Sequence, residues 1–377
     1  MNTNESSAAE ARLEQLGAVL EGHKRVLVIP HDFPDPDALA CAAALHLLLQ
    51  KKFGILGQIA FSGEVSRAEN KELLRRLRFR WHRMSDLRRV PQRKKIPCIL
   101  VDTAPWSRNV TVPPFAHPVA VFDHHQHPKW REAKHAKLFS DIRAGAGATT
   151  TIAYEYLKTA DIEIPRWLAA IMAYAIVTET LDLSRDYEEA DRRAYLELAA
   201  RADHRIIGRI RHAPLPRAYF GHLQEAIERA RQAGPVVFTH LESVEQPEIV
   251  AEIADMLLRM EGVRWSLCTA NFKDGVYISI RSRQRGARCS RLLRSAIGTT
   301  GSAGGHMHMA AGFFDSGDGT WAEREGRRQA FVRALVRKIV KSAPDDADQF
   351  DHFARGLLVP WEEEKAAAKQ LKLEWSQ

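Results

Sequence analysis

Three short apolar segments of this chain each end in acidic and histidine residues. They span residues 26–31, 98–102 and 119–123, and each has the length of a strand buried on both faces of a sheet. The polar residues at or just beyond their ends are His31, Asp35 and Asp37, then Asp102, and then Asp123, His124 and His125. Because the carboxyl ends of parallel strands meet at one edge of a sheet, we expect these side chains to gather there.

Helix-forming segments alternate with the strands, which predicts an α/β fold with a parallel sheet. The pattern is helical from residue 147 to about 202, and a basic, proline-punctuated stretch at 205–217 ends this part of the chain. Beyond it, strand and helix patterns continue around a glycine-rich loop at 298–312. We predict a metal-binding catalytic domain (20–215), a linker helix (216–234), a smaller α/β domain (235–343) and a C-terminal tail (344–377).

The mixture of carboxylates and imidazoles at the sheet edge indicates a metal site. Oxygen and nitrogen ligands together suit Mn²⁺, Fe²⁺, Co²⁺ or Zn²⁺ better than Mg²⁺ or Ca²⁺. Asp35 and Asp37 flank a proline, so their side chains can turn toward two different ions. A pair of ions ~3.5–4 Å apart can activate water and clamp a phosphoryl group. The pattern therefore favours two-metal hydrolysis of phosphate esters.

The composition of the chain bears on its cellular location and on the partners that it can bind. No apolar run approaches the ~20 residues that cross a bilayer, and the polar, acidic N-terminus is unlike a secretory signal. The four cysteines form no CxxC pair, which argues against a disulfide framework or a thiolate zinc site. We expect a cytoplasmic protein. The net charge of +8 fits either a polyanionic partner, such as nucleotides or nucleic acid, or arginine-rich codon usage alone.

Several motifs together resemble the DHH phosphoesterase superfamily. HDFPDPDALA (31–40), ILVDT (99–103) and VFDHH (121–125) resemble its successive motifs. A further family motif, a helix ending in Thr-Asp-Thr, is matched by residues 178–180, with Glu179 in place of Asp. The segments GGH (304–306) and AAG (310–312) resemble the signature of the associated DHHA1 domain. The resemblance spans roughly residues 20–340 and implies a DHH domain, a smaller DHHA1 domain and an active site in the cleft between them.

The resemblance also implies roles for individual residues. His31 and Asp35 would hold one metal ion, Asp37 and His124 the other, and Asp102 would bridge the two. His125 would face the phosphate, while Asp123 would orient a ligating imidazole. Glu179 would supply a further metal ligand, with Asp182 as the alternative on a neighbouring part of the same helical face. The substrate-binding residues of the second domain would be Arg281, Gly304, Gly305 and His306.

The branch that this layout resembles most is the nanoRNases, with two Mn²⁺ ions as cofactors. Such an enzyme would trim short RNA and would remove a phosphate from 3′-phosphoadenosine 5′-phosphate. Cleavage of cyclic dinucleotides is the alternative within the superfamily. A RecJ-like exonuclease and a manganese pyrophosphatase fit less well, because the chain shows neither an added oligonucleotide-binding domain nor the basic Ser-Arg-Lys-Lys motif. The alternative from a different class of function is a non-catalytic protein that binds nucleotides or nucleic acid and whose active site has decayed. The resemblance suggests a homodimer.

Overall fold

The computed structural model describes residues 3–87, 95–107, 109–127, 138–184, 186–305 and 307–341. The chain divides into two compact units, the first ending at Pro214 and the second beginning at Leu215. The predicted tail at 344–377 lies outside the described residues, as does His306. Among the described helices, none combines the length and apolar content that a membrane span requires.

The first unit is built on a parallel sheet, as the sequence predicts, and this sheet contains six described strands. Its strands are β1 (Arg25–Pro30), β2 (Leu56–Phe61), β3 (Trp81–Arg83), β4 (Ile96–Val101), β5 (Ala116–Asp123) and β6 (Phe139–Ile142). They lie in the order β3-β2-β1-β4-β5-β6. Along β1, Val26 and Val28 enter one apolar cluster, whereas Leu27 and Ile29 enter the cluster on the other face. This burial on both faces explains why the strands read as continuous apolar runs.

Eight described helices accompany this sheet. They are α1 (Thr3–Leu20), α2 (Pro36–Phe53), α3 (Ala68–Arg76), α4 (Met84–Leu87), α5 (Thr149–Thr159), α6 (Arg166–Glu179), α7 (Glu189–Arg201) and α8 (His204–Arg211). Helix α2 is buried along most of its length and packs against α5 and α6. Its first turn is capped by the Asp35 side chain, and Gly54 ends it in the left-handed conformation with φ 67°.

The strand order places the predicted site residues together. The chain moves outward from β1 to β2 and β3, and then returns to the other side of β1 with β4. In an open α/β sheet, ligands bind outside the carboxyl ends of the strands where the order reverses in this way. Residues 31–37 follow β1 and Asp102 follows β4, so the fold delivers them to this point.

The second unit contains a mixed six-stranded sheet. Its strands are β7 (Arg231–Ala233), β8 (Val236–Leu241), β9 (Trp265–Phe272), β10 (Gly275–Ser282), β11 (Gly301–Gly305) and β12 (Met309–Asp315). They lie in the order β11-β12-β10-β9-β8-β7, and only the pairing of β8 with β9 is parallel among these described strands. The helices are α9 (Arg217–Glu228), α10 (Glu248–Leu257), α11 (Cys289–Ile297) and α12 (Trp321–Lys341). Separate apolar clusters cover the two faces of the sheet.

One expectation about local structure is wrong. The glycine-rich segment 298–312 is not a loop but contains the hairpin of β11 and β12. Glycine disfavours strands by itself, but β12 pairs with β10 along its length, and this tertiary pairing overrides local preference. The basic stretch at 205–217 contains helix α8, whose Ile206 and Ile210 are buried one turn apart.

Candidate metal centre

Asp102 lies at the middle of the candidate site. It follows β4 directly, adopts a left-handed conformation with φ 58°, and is only 2% exposed. Its Oδ2 lies 3.5 Å from His31 Nε2, and its Oδ1 lies 3.5 Å from both His124 Nε2 and His125 Nδ1. An aspartate tolerates positive φ better than most residues, so the chain can turn sharply here and aim the carboxylate back over the sheet edge.

Two groups of possible metal ligands share Asp102. One contains His31, Asp35 and Asp102, and the other contains Asp102, His124 and His125. In each group the ligand atoms all lie within 4.8 Å of one another. Residues from each of the first three motifs therefore converge, with Asp102 in the position from which one carboxylate can serve two ions.

Backbone contacts fix which nitrogen two of the histidines present. The Nδ1–H of His31 can donate to the Asp32 carbonyl at 2.9 Å, and that of His124 to the Ala146 carbonyl at 3.1 Å. In that tautomer each Nε2 carries the lone pair that a metal ion needs. Both Nε2 atoms are the ones that face Asp102. The main chain thus favours the tautomer in which Nε2 of His31 and of His124 can bind a metal ion.

Asp123 holds two further imidazoles. It is fully buried, and its Oδ1 accepts from the His125 backbone N–H at 3.1 Å and faces His125 Nδ1 at 2.7 Å. Its Oδ2 faces His127 Nε2 at 2.7 Å. A carboxylate with these partners orients the rings rather than binding an ion itself. Asp123 therefore holds His125 and His127, and its predicted role toward a metal-ligating imidazole stays a prediction.

The start of helix α5 connects two of the carboxylates. The backbone N–H groups of Thr149 and Thr150 donate to the two oxygens of Asp37 at 2.7 and 2.8 Å. The Thr149 hydroxyl donates to Asp102 Oδ1 at 2.7 Å. Sequence reasoning missed Thr149, although a threonine at the start of a predicted helix is a recognisable signal for contacts from that helix end. Asp37 belongs to neither of the two groups of possible metal ligands. Each of its oxygens accepts one backbone hydrogen bond and keeps a second lone pair with which it could bind an ion.

The concentration of negative charge accounts for the titration behaviour of the site. Burial, followed by the charge of Asp102, raises the pKa of Asp37 to about 6. Burial, followed by Asp35 and Asp37, raises the pKa of Glu179 to about 8. Burial alone would also raise the pKa of Asp102, but the hydrogen bond with His31 and the nearby imidazoles hold it below its ordinary value. Crowded carboxylates with imidazole neighbours suit a site that divalent cations neutralise, so the donor set fits the predicted metals.

The structure distinguishes between Glu179 and Asp182. Helix α6 ends at Glu179, whose charge acts on His124 and His125. The next residues, from Leu181 to Leu183, have positive φ, so Asp182 does not continue the same helical face. Its side chain is 81% exposed and pairs with Arg211 at 3.3 Å. The expectation that Asp182 could substitute from the same helical face is therefore wrong, and Glu179 is the acidic residue beside the cluster.

The predicted substrate residues of the second unit have different environments. Arg281 is 8% exposed, and its Nε donates to Asp255 Oδ1 while its Nη1 donates to Ser279 Oγ at 2.8 Å. Gly304 and Gly305 are exposed on β11. A Cβ on Gly304 would meet nothing within 4 Å, whereas Gly305 has φ 128° and a Cβ there would lie 2.3 Å from the Met309 carbonyl oxygen. His306 lies outside the described residues, so a substrate contact for this segment stays a prediction.

Comparison with known proteins agrees with the motifs. Residues 25–176 match the DHH family, N-terminal domain. An uncharacterized protein of Methanocaldococcus jannaschii is 26% identical over 358 residues, which are 89% of this chain and 71% of that protein.

Two solved structures show the fold. An exopolyphosphatase-related protein from Bacteroides fragilis has a TM-score of 0.63 at 14% identity, covering 88% of this chain and 97% of that chain. RecJ from Thermus thermophilus, solved with Mn²⁺, has a TM-score of 0.51 at 14% identity, covering 88% of this chain and 55% of that chain. The match to the DHH family covers residues 25–176, and members of that family are divalent-metal-dependent phosphoesterase hydrolases.

Proposed function

We propose that the chain is a nanoRNase, a phosphodiesterase that hydrolyses short RNA oligonucleotides and also removes a phosphate from 3′-phosphoadenosine 5′-phosphate. The observation that carries the proposal is the convergence of two ligand groups on Asp102 at the carboxyl edge of the parallel sheet. A carboxylate shared by two groups is the arrangement that a two-ion hydrolase of phosphate esters needs. The sequence resemblance to the nanoRNase branch selects short RNA among the substrates of the family.

Each ion would have its own set of protein ligands. His31 and Asp35 would hold one and Asp102 would contact both. His124 and Asp37 would hold the other, as the family resemblance implies, with Glu179 as an additional carboxylate. When bound, two Mn²⁺ ions would supply the positive charge that activates water and stabilises the charge developing on the phosphate oxygens.

The remaining residues would bind and orient the substrate. Asp123 fixes His125 through the ring Nδ1 and the backbone N–H, so Nε2 is the His125 nitrogen that would contact a phosphate oxygen. In the second unit, the open space above Gly304 lets a phosphate approach the backbone closely. The positive net charge favours an anionic substrate of this kind. The assignment of the second unit as a DHHA1 substrate-binding domain, the cytoplasmic location and the homodimer stay predictions.

Hydrolysis of RNAs of defined length tests the proposal. The purified chain is incubated with Mn²⁺ and labelled RNAs of 2, 5 and 24 nucleotides, beside 3′-phosphoadenosine 5′-phosphate and cyclic dinucleotides. We expect rapid loss of the two short RNAs, slow loss of the 24-mer, and no loss in EDTA. Disappearance of cyclic dinucleotides alone would replace the proposal with the alternative substrate, and binding without any turnover would make the chain a nucleotide-binding protein.

Two variants test the role of Asp102, and one of them is a control. Asp102→Asn removes the shared negative charge but tolerates the left-handed conformation at this position, so the fold should survive while hydrolysis is lost. Asp182→Asn changes an exposed aspartate outside the cluster and should leave hydrolysis unchanged. Equal activity of the two variants would contradict the role given to Asp102.

A further inference from the structure

An exposed aromatic residue lies in the loop that carries the first metal ligands. Phe33 is two residues from His31 and two from Asp35, and 59% of its surface is accessible. The residues that follow it, from Pro36 into helix α2, are buried almost without interruption. Single exposed apolar side chains are common on protein surfaces, but this one belongs to the loop that carries His31 and Asp35, so it is available to a ligand that binds there.

The backbone at Phe33 is also in an unfavourable conformation. Its φ is 57°, in the left-handed region that glycine and asparagine adopt far more readily than a bulky aromatic residue. Strained conformations of this kind persist where the surrounding structure imposes them, and they are concentrated at ligand-binding sites. A glycine or an asparagine would therefore fit the backbone at position 33 better than the phenylalanine that occupies it.

Neighbouring segments hold the loop and its ring in place. The Phe33 N–H donates to the Ser62 carbonyl at 3.0 Å, just beyond the end of β2. The preceding Asp32 accepts from Thr111 through its backbone N–H at 3.1 Å and its hydroxyl at 2.6 Å. The ring lies against Gly63, where an added Cβ would be only 2.7 Å from ring atoms. The absence of a side chain at Gly63 thus leaves room for the Phe33 ring, which packs against this glycine and remains exposed to solvent.

We propose that Phe33 is a stacking platform for a nucleobase of the substrate, next to the phosphate that the metal cluster attacks. A flat apolar ring fixed at a sheet edge can stack on any base, because every base has a π-face. Phe33 lies between His31 and Asp35 in the same loop. A base stacked on its ring would therefore belong to a nucleotide that adjoins the reacting phosphate. This assignment rests on the proposed function, because it takes the substrate to be a nucleotide.

The test compares variants that separate the ring from the backbone conformation. Phe33→Asn removes the ring and keeps a residue that tolerates positive φ, whereas Phe33→Trp keeps an aromatic surface. Leu56→Ala is the matched control, because Leu56 is 53% exposed at the start of β2, at the opposite edge of the same sheet. Each protein is assayed with a ribodinucleotide and with an abasic analogue that carries the same phosphodiester.

We expect Phe33→Asn to lower kcat/KM for the dinucleotide by about 5- to 100-fold, mainly through KM, and to leave hydrolysis of the abasic analogue unchanged. Phe33→Trp and Leu56→Ala should stay near the wild type, and the melting temperature of Phe33→Asn should not fall. Binding of a dinucleotide containing 2-aminopurine gives a second readout, since its fluorescence should be quenched by the wild type and not by Phe33→Asn.

Several results would overturn the inference. Unchanged kcat/KM in Phe33→Asn, or an equal loss on the abasic analogue, would show that no base stacks on the ring. A change in sedimentation of Phe33→Asn would assign the residue to a contact between chains. Failure of the proposed function looks different, because the wild type would then not hydrolyse the dinucleotide although quenching of 2-aminopurine could still report stacking. Absence of both signals would overturn both.

Discussion

Replacing Thr149 by valine should weaken metal binding without disturbing the fold. Valine has nearly the shape of threonine, and the Thr149 backbone N–H would still donate to Asp37. The variant loses only the hydroxyl that donates to Asp102 Oδ1 at 2.7 Å. A hydrogen bond to a buried charged acceptor contributes roughly 1.5–3 kcal/mol. Because that hydroxyl orients the shared carboxylate, we expect Mn²⁺ binding about 10- to 100-fold weaker than in the wild type.

The matched control is the next residue. The Thr150 hydroxyl donates to the backbone carbonyl of Asp37, not to a carboxylate, at 3.2 Å. Thr150→Val should therefore change Mn²⁺ affinity by less than about threefold. Isothermal titration of both metal-free variants with Mn²⁺, beside thermal unfolding of the same samples, measures the difference. If Thr149→Val and Thr150→Val bind Mn²⁺ equally well, the Thr149 hydroxyl does not organise the site.

Three further predictions concern other parts of the molecule. Glu179→Gln should weaken Mn²⁺ binding at least about 10-fold, whereas Glu179→Asp should retain it; equal titration curves would remove Glu179 from the ligand set. Asp141→Asn should lower the free energy of unfolding by about 3 kcal/mol at pH 7, because the buried Asp141 accepts two hydrogen bonds from Arg143. Burial would raise the pKa of Asp141, but the bond with Arg143 lowers it, so the loss should shrink as pH falls below about 4; urea unfolding at pH 7 and 3.5 measures this, and a constant difference would contradict it. Gly304→Ala should fold normally and weaken RNA binding, whereas Gly305→Ala should destabilise the protein; equal melting temperatures of the two variants would refute this.

The parallel sheet and the convergence of its ligands follow from local sequence. Continuous apolar runs identify strands buried on both faces, and chain direction alone carries the residues after β1, β4 and β5 to one edge. For this reason Asp102, His31 and His124 could be placed together without knowledge of any contact. The resemblance to the DHH family then predicted a role for each of these residues.

What the sequence did not reveal depends on contacts between distant segments. Thr149 and Asp102 are 47 residues apart. No periodicity in the sequence indicates that the Thr149 hydroxyl, at the start of a helix, donates to the Asp102 carboxylate, at the end of a strand. The left-handed turn after Glu179 is equally hidden, because Leu181 and Leu183 have no special preference for positive φ. The hairpin in the glycine-rich segment forms only because β10 offers an edge on which β12 can pair.

The number of Mn²⁺ ions needed for turnover tests the central claim most directly. Metal-free protein is titrated with Mn²⁺, and hydrolysis of a ribopentanucleotide is measured at each ratio of bound ion to chain. The shared position of Asp102 between two ligand groups predicts activity that rises to a plateau at two ions per chain, with Asp102→Asn inactive at every ratio. Full activity in the metal-free protein, or a plateau at one ion, would contradict a two-metal phosphodiesterase.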